Sequence, residues 1–445
     1  MKKLFKYLFI AMSVLILLLV MIGVAAYFLI DDAMIKDKIS KAVKEQTGRD
    51  FLIKGEIKKS FYPVLGVNVE GIEILNPDGF KNRVFLSLKK IDMGVKIMPL
   101  FDGKVYANRI YIDGLVVNLE KNHKGDINWA FDVDESSGGN QNADFKFEGI
   151  EVSDSRITYL NMENNQDITV DNIFLQIGIE SFIKPINIEF SADVDSKNPQ
   201  QKSNLNLKFT AQVLPGFLGG KISDFDVNIK SQSPEFPTGK MDFSLSGDIE
   251  LNNLKQTMSV KDFAMNLMGV SMGGDIFVSD FGGEPKLNAK IKVYDFSPKG
   301  VATDFGIALP EFKDEVFNRI KLDLNIFATK DFIKLNKMSI ELDEIKINGD
   351  AEIKNPTDPY VYFALNVDQI NLDNYMPITE EKQNEKSVTG IDLNFALLRK
   401  LNLNGVLDIG YVLFNKIETK DLKVEVKADN GVIDILQNKT SPKIK

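Results

Sequence analysis

An apolar run from Tyr7 to Ile30, 24 residues without a charge, constrains this chain more than any other feature. At 1.5 Å rise per residue it makes roughly 36 Å of helix, enough to cross a hydrocarbon core of about 30 Å with some tilt. Lys2, Lys3 and Lys6 precede the run, and Asp31 and Asp32 follow it. Basic residues on one flank only predict that this flank stays in the cytoplasm, with residues 31–445 on the far side of the membrane. A cleaved signal peptide is the competing reading, with small residues at Ala25-Ala26. A signal peptide's apolar region is about 7–15 residues long, and this run continues through Tyr27-Phe28-Leu29-Ile30. An uncleaved single-span anchor is therefore expected.

Composition narrows the chemistry outside that anchor. The net charge of −9 argues against nucleic acid as a partner. No cysteine exists, which removes disulfides, thiolate catalysis and Cys-type zinc sites together. The one histidine, His123, lies in the polar turn Asn122–Asp126, so a catalytic triad or a multi-histidine metal site has nothing to build on. Two acidic groups, Asp132/Asp134/Glu135 and Asp193/Asp195 with Asn198, lack the glycine and distal glutamate of a calcium loop and read as solvated turns. No phosphate-binding loop or nucleophile elbow occurs. The expectation is a protein with no cofactor, no metal and no enzymatic activity.

Taken in order, residues 1–6 read as a cytoplasmic tail and 7–30 as the transmembrane helix. Residues 31–48 read as a membrane-proximal amphipathic helix, with Ile35, Ile39 and Val43 on one stripe and Gly48 as the stop. It lies at the membrane surface or plugs the end of the β region that begins after Gly48. From there the period changes from 3.6 to 2. Ile186, Ile188, Phe190, Ala192 and Val194 alternate with polar residues, and after a turn at Ser196–Ser203 so do Leu205, Leu207, Phe209, Ala211 and Val213. Leu287, Ala289, Ile291 and Val293 repeat the pattern against Lys286, Asn288, Lys290 and Lys292. Each such strand has one apolar face and one wet face. The alternation changes parity between Ile112 and Leu115, which predicts a bulge or turn at Gly114. Residues 49–133 form a first β region, 134–143 a loop, 144–436 a repetitive β region and 437–445 a polar tail; Thr379–Ser387 is a second loop.

The repeat rests on Met258-Ser259-Val260 and Gly274-Asp275, matched 75–80 residues later by Met338-Ser339-Ile340 and Gly349-Asp350. Each copy goes on to a strand, Leu287–Val293 or Tyr360–Val367, and a short helix. Stacked repeats share one continuous apolar surface. Helical stretches after the membrane-proximal helix, at 297–307, 311–319, 371–376 and 391–400, are too short to cover so much sheet. Either two sheets pack face to face, or one curved sheet leaves its apolar face open.

Several blocks along the chain resemble those of the AsmA family of bacterial envelope proteins. They are Thr47-Gly48-Arg49, Ile53-Lys54-Gly55, Phe61-Tyr62-Pro63, Leu75–Phe80, Pro99–Gly103, Lys124–Phe131, Leu372–Pro377 and Lys427–Val432. The resemblance implies a mainly β protein. An N-terminal transmembrane helix would lead into an elongated, curved, mostly antiparallel β-sheet groove built from repeats, with a few short helices. It further implies inner-membrane anchoring, a periplasmic bulk, and a groove that passes phospholipid towards the outer membrane and supports its assembly. The family pattern normally continues past Val432, whereas here a polar tail follows. The groove-facing candidates are Ile186, Ile188, Phe190, Leu205, Leu207, Phe209, Leu287, Ile291, Val293, Phe363 and Leu365. Phospholipid acyl chains, the inner membrane and outer-membrane or other envelope proteins are the expected partners. A non-catalytic assembly scaffold with a dry, self-filled core is the alternative.

Overall fold

The structure, a computed structural model, describes residues 32–60, 64–96, 98, 105–130, 145–179, 184–378, 402–429 and 432–438. The run 7–30, the loops 134–143 and 379–387, the helix expected at 391–400 and residues 439–445 lie outside them. Among the described residues no helix is long and apolar enough to cross a membrane. Two units are present, one up to Lys208 and one from Phe209.

In the first unit a helix, α1 (Asp32–Thr47), leads into β1 (Phe51–Ile53), β2 (Ile57–Ser60), β3 (Val64–Leu75) and β4 (Val84–Lys96). There follow β5 (Val105–Ala107), β6 (Ile110–Lys121), β7 (Phe145–Phe147), β8 (Gly149–Asn161), β9 (Gln166–Gly178) and β10 (Ile186–Lys197). Gly48 at φ +70 ends α1, as its missing Cβ permits. Lys36 Nζ donates to the Gly55 carbonyl at 2.6 Å and Lys44 pairs with Asp50 at 2.6 Å, which ties the helix to the first strand.

β1 and β2 share one edge of β3, and the sheet continues through β4, β6, β8, β9 and β10. Pairing is antiparallel except between β6 and β8 and between the short β5 and β7. The parity change expected at Gly114 is present, with Gly114 at φ +68 and Asp154 on β8 at +51. Gly71 on β3 and Asn172 on β9 also take positive φ, so neighbouring strands change parity together and the apolar rows stay aligned. One such row runs Ile57–Val69–Ile91–Ile112–Val152–Leu175–Phe190 over seven strands.

β11 (Gln200–Val213) carries the chain onward, and a 3-10 turn at Pro215–Phe217 precedes the second unit's strands. These are β12 (Gly219–Gln232), β13 (Lys240–Asn252), β14 (Thr257–Leu267), β15 (Val270–Ser279) and β16 (Lys286–Phe296), then helix α2 (Pro298–Asp304). Next come β17 (Ile320–Ala328), β18 (Phe332–Leu342), β19 (Ile345–Lys354), β20 (Tyr360–Asn371), β21 (Asn402–Phe414), β22 (Ile417–Asp429) and β23 (Val432–Asn438). From β12 to β20 every strand pairs antiparallel with the next. β20 and β21 are parallel, and β22 and β23 complete the order.

Several local expectations need correction. The turn expected over Ser196–Ser203 shrinks to Asn198-Pro199, because β10 extends to Lys197 and β11 begins at Gln200. The helix over 297–307 is shorter, α2, capped by Ser297 Oγ accepting from Gly300 N at 3.1 Å. The one over 371–376 is a 3-10 turn at Leu372–Asn374. Residues 311–319 form no helix at all. Phe317 sits at φ 56, and the backbone N–H groups of Phe317, Asn318 and Arg319 donate to the Asp343 carboxylate at 2.8, 2.9 and 3.0 Å. Those donors serve a side chain instead of a helical ladder. Finally, β23 runs to Asn438, two residues into the stretch expected as tail.

Candidate functional site

Cross-strand pairing in the second unit aligns apolar residues into rows perpendicular to the strands. One row is Ile222–Ile249–Val260–Ile276–Ala289–Ile326–Leu335–Ala351–Phe363–Gly405–Val426–Ile435, one residue per strand from β12 to β23. Two residues along each strand, a second row passes through Met258, Val278, Leu287, Ala328, Ile333, Ile353, Val361, Leu403 and Ala428. On the other side a third row passes through Leu245, Met265, Met272, Val293, Leu322, Ile340, Ile347, Val367, Ile409 and Leu422. No polar side chain interrupts any of them, so the same face of every strand is apolar.

Between the first and third rows the parity changes, and a repeated device makes this possible. Asp224, Asp262 and Lys337 take φ near +50 on alternate strands. Their backbone N–H groups donate to Asp248, Asp275 and Asp350 at 2.9, 3.1 and 2.8 Å. Each acceptor follows a glycine, Gly247, Gly274 or Gly349. Gly274 has φ +149, and a Cβ there would lie 1.8 Å from the Lys290 carbonyl oxygen; at Gly349, φ +158, it would lie 2.1 Å from that of Ala364. Only glycine fits at those two positions. The Gly-Asp pairs of the sequence repeat are thus the acceptor half of a bulge clamp. A third copy, Gly247-Asp248, was not apparent from identities alone.

This face is not the interior of a packed core. Among the described side chains of the three rows, only Ala289, Gly405, Val367 and Ala428 are buried, and the large residues stay partly exposed. With strands about 4.8 Å apart and alternate residues about 6.8 Å apart, the band is roughly 20 Å wide and on the order of 1,000 Å² in area. A contiguous apolar face left partly exposed is the usual mark of an interaction surface.

The sequence-predicted residues fall on these faces. Leu287, Val293 and Phe363 stand in the three rows, and Ile291 and Leu365 stand beside Gly274 and Gly349 in the band between them. In the first unit Ile188 pairs with Ile177, and Phe190 ends the seven-strand row. Ile186, Leu205 and Leu207 are half-buried on β10 and β11, and the Phe209 ring lies 6.2 Å from that of Phe225. Residues such as Ile276, Ile326 and Leu335 were missed because short alternating runs broken by parity changes gave too weak a pattern.

A family model described as AsmA family matches residues 1–263. The chain belongs to the AsmA family. Comparison with curated proteins returns no match.

Three of the blocks that carry the AsmA resemblance meet in one buried polar cluster in the first unit. Arg49, 5% exposed, donates from Nη2 to the carbonyls of Asn128 and Ala130 at 2.5 and 3.2 Å, with its guanidinium over the Phe85 ring. Asn128, fully buried, donates to Asn76 Oδ1 and to the Asn118 carbonyl, and accepts from Glu120 N at 2.8 Å. Glu120, also fully buried, accepts from the backbone N–H groups of Lys81 and Asn82 at 2.5 and 3.2 Å. Burial pulls Arg49 below the ordinary guanidinium value. These partners are structural: the cluster holds the loops at 76–82 and 122–130 onto the sheet.

Asn122 Oδ1 caps the turn around exposed His123, accepting from Lys124 N and Asp126 N. Asp193 is held by Asn172 and Asn204, and Asp195 by Lys202. Among the described residues no group of His, Cys, Asp and Glu is arranged to hold a metal ion.

Proposed function

We propose that this AsmA-family chain is a non-enzymatic, inner-membrane-anchored periplasmic protein. Its open apolar faces bind phospholipid acyl chains and conduct them between the inner and outer membranes, in support of outer-membrane assembly and lipid homeostasis. The observation that carries the reading is the apolar band of the second unit, unbroken over twelve strands and left partly exposed. A width of roughly 20 Å accommodates an acyl chain, whose span in one leaflet is about 15 Å. Parallel rows offer the same apolar chemistry at every strand, so a bound chain meets no barrier of buried charge in passing from one to the next.

An assembly scaffold binding other envelope proteins would fill such faces with its own core, and the partial exposure of Ile276, Ile326 and Phe363 speaks against that. The test is mass spectrometry of the full chain extracted in a detergent that contains no phospholipid. Co-purifying phospholipid that Ile276→Asp and Ile326→Asp deplete supports conduction; a folded protein that never carries lipid refutes it. The address is tested separately. Protease added to spheroplasts should digest residues 31–445 and leave the N-terminus protected, whereas protection of the C-terminal half would overturn the topology.

A further inference from the structure

The opposite face of the second unit's sheet is polar, yet it carries aromatic side chains at regular places. Its central row reads Ser259–Phe277–Asn288–Phe327–Lys334–Glu352–Tyr362–Asn404–Lys427. Phe277 is 43% exposed and Tyr362 37% exposed; the Tyr362 ring lies 4.8 Å from that of Tyr360 with Lys354 Nζ over it, and the Phe327 ring lies 5.7 Å from that of Phe332. A cavity of about 490 Å³ lies along this row, lined by Phe277, Asn288, Phe327, Lys290, Asn325 and Asn336 among others. A second, of about 310 Å³, lies three strands on, lined by Tyr362, Lys334, Glu352 and Asn404 among others.

At the first cavity the polar side chains beside the rings are unspent. Asn288, Asn325 and Asn336 make no side-chain hydrogen bond to any described residue, and Lys261 and Lys290 at the first cavity make no ion pair. Each asparagine offers two donors and an acceptor with two lone pairs. Phe277 and Phe327 stand on β15 and β17, two strands and so about 9.6 Å apart, with Asn288 between them.

We propose that this polar face binds an extended glycan chain running across the strands. The C–H faces of sugar rings stack on aromatic rings, while hydroxyl and acetamido groups need paired donors and acceptors between them. Rings separated by amides at every second or third strand supply both in alternation. A protein partner fits less well, because interface cores are depleted of lysine and glutamate, and here Asn, Lys and Glu alternate with the rings along the row. The charges lining the first cavity are Lys261, Lys290 and Asp275, so an uncharged or sparsely charged glycan is the match. This inference does not rest on the lipid reading, since it concerns the other face.

The test uses the full chain in a zwitterionic detergent, because sugar-headed detergents would compete. The probes are the β-1,4-linked tetramers of N-acetylglucosamine and of glucose, followed by titration calorimetry. Saturable binding of either tetramer is expected, weakened at least tenfold by Phe277→Ala and by Asn288→Ala and unchanged by Ile291→Ala on the apolar face. Asn288 is exposed, so its replacement leaves the fold intact and keeps the result readable. No saturable binding at about 1 mM of either tetramer overturns the proposal. Equal binding by Phe277→Ala and Asn288→Ala overturns it as well. So does specific cross-linking of Asn288→Cys, which would be the chain's single cysteine, to an envelope protein in cells. Loss of co-purifying lipid bears only on the apolar face and leaves these readouts untouched.

Discussion

The carboxylate of Asp275 on β15 accepts the backbone N–H of Asp262 on β14 at 3.1 Å, and Asp350 on β19 does the same for Lys337 on β18 at 2.8 Å. The two pairs sit 75 residues apart and serve one purpose. A bulge frees a backbone N–H from the ladder, and an aspartate on the next strand satisfies it. The strand can then change parity without turning its apolar residues to the polar face.

Removing one acceptor should therefore loosen the bulge without unfolding the sheet. Asp275→Ala leaves the Asp262 N–H to water, and because the site is exposed the loss should be about 1 kcal/mol. Gly274→Ala should cost more, since its Cβ would meet the Lys290 carbonyl at 1.8 Å and strands β15 and β16 must part. Hydrogen exchange should show faster exchange confined to β14–β16 in the first variant and spread over the unit in the second. Equal, local effects would remove the distinction.

The polar cluster of the first unit predicts a sharper loss. Glu120→Ala strips the acceptor from two backbone N–H groups in a site closed to water, at a cost of roughly 1–3 kcal/mol for each unsatisfied donor. Asn128→Ala cuts the link between Asn76, Asn118 and Glu120 and should cost a similar amount. Both should lower the thermal midpoint, and the double variant should cost less than the sum because the residues belong to one network. Additive losses would show independent roles.

Asp193 gives a pH prediction. Hydrogen bonds from Asn172 Nδ2 at 2.7 Å and Asn204 Nδ2 at 2.8 Å hold its carboxyl below the ordinary carboxylate value. A depressed folded value contributes stability that is present above the unfolded value and is lost as pH falls through the folded one. The donors are neutral amides, so added salt should leave the depression in place. The Lys89 ammonium, by contrast, is the first cause of the lowering at Asp113, where salt should erode it. Carboxyl NMR titration at low and high salt measures both. In Asn172→Ala the Asp193 value should rise towards normal.

How much of this was readable in advance depends on distance along the chain. The alternation in Ile186–Val194 or Leu287–Val293 is local and identified the strands and their apolar faces. The rows that join Ile222 to Ile435 depend on register across twelve strands, which no short window contains. Likewise Arg49 meets Asn128 and Ala130 from 79 and 81 residues away, so no local pattern contains that contact. The helix expected at 311–319 failed because Asp343, far along the chain, captures three of its N–H groups. The aromatics of the polar face were legible only as exceptions, Phe277 between Ile276 and Val278 being indistinguishable from a continuous apolar run.

The last prediction turns on Ile291. It pairs with Gly274 on one side and Leu324 on the other, half-buried in the middle of the apolar band, with Lys290 and Lys292 exposed on the opposite face. In a closed sandwich Ile291→Asp would bury an unpaired carboxylate at several kcal/mol, a large part of a typical total of about 5–15 kcal/mol. On an open face water reaches the carboxylate once lipid departs, so the cost falls to the lost contacts of one half-exposed side chain. The variant should melt within a few degrees of the native protein and yet carry less co-purifying phospholipid, since a charge now interrupts the band. Thermal melting and bound phospholipid per chain are measured on the same samples. A folded, lipid-poor variant supports conduction along the rows. An unfolded variant beside a native protein free of lipid would restore the closed scaffold.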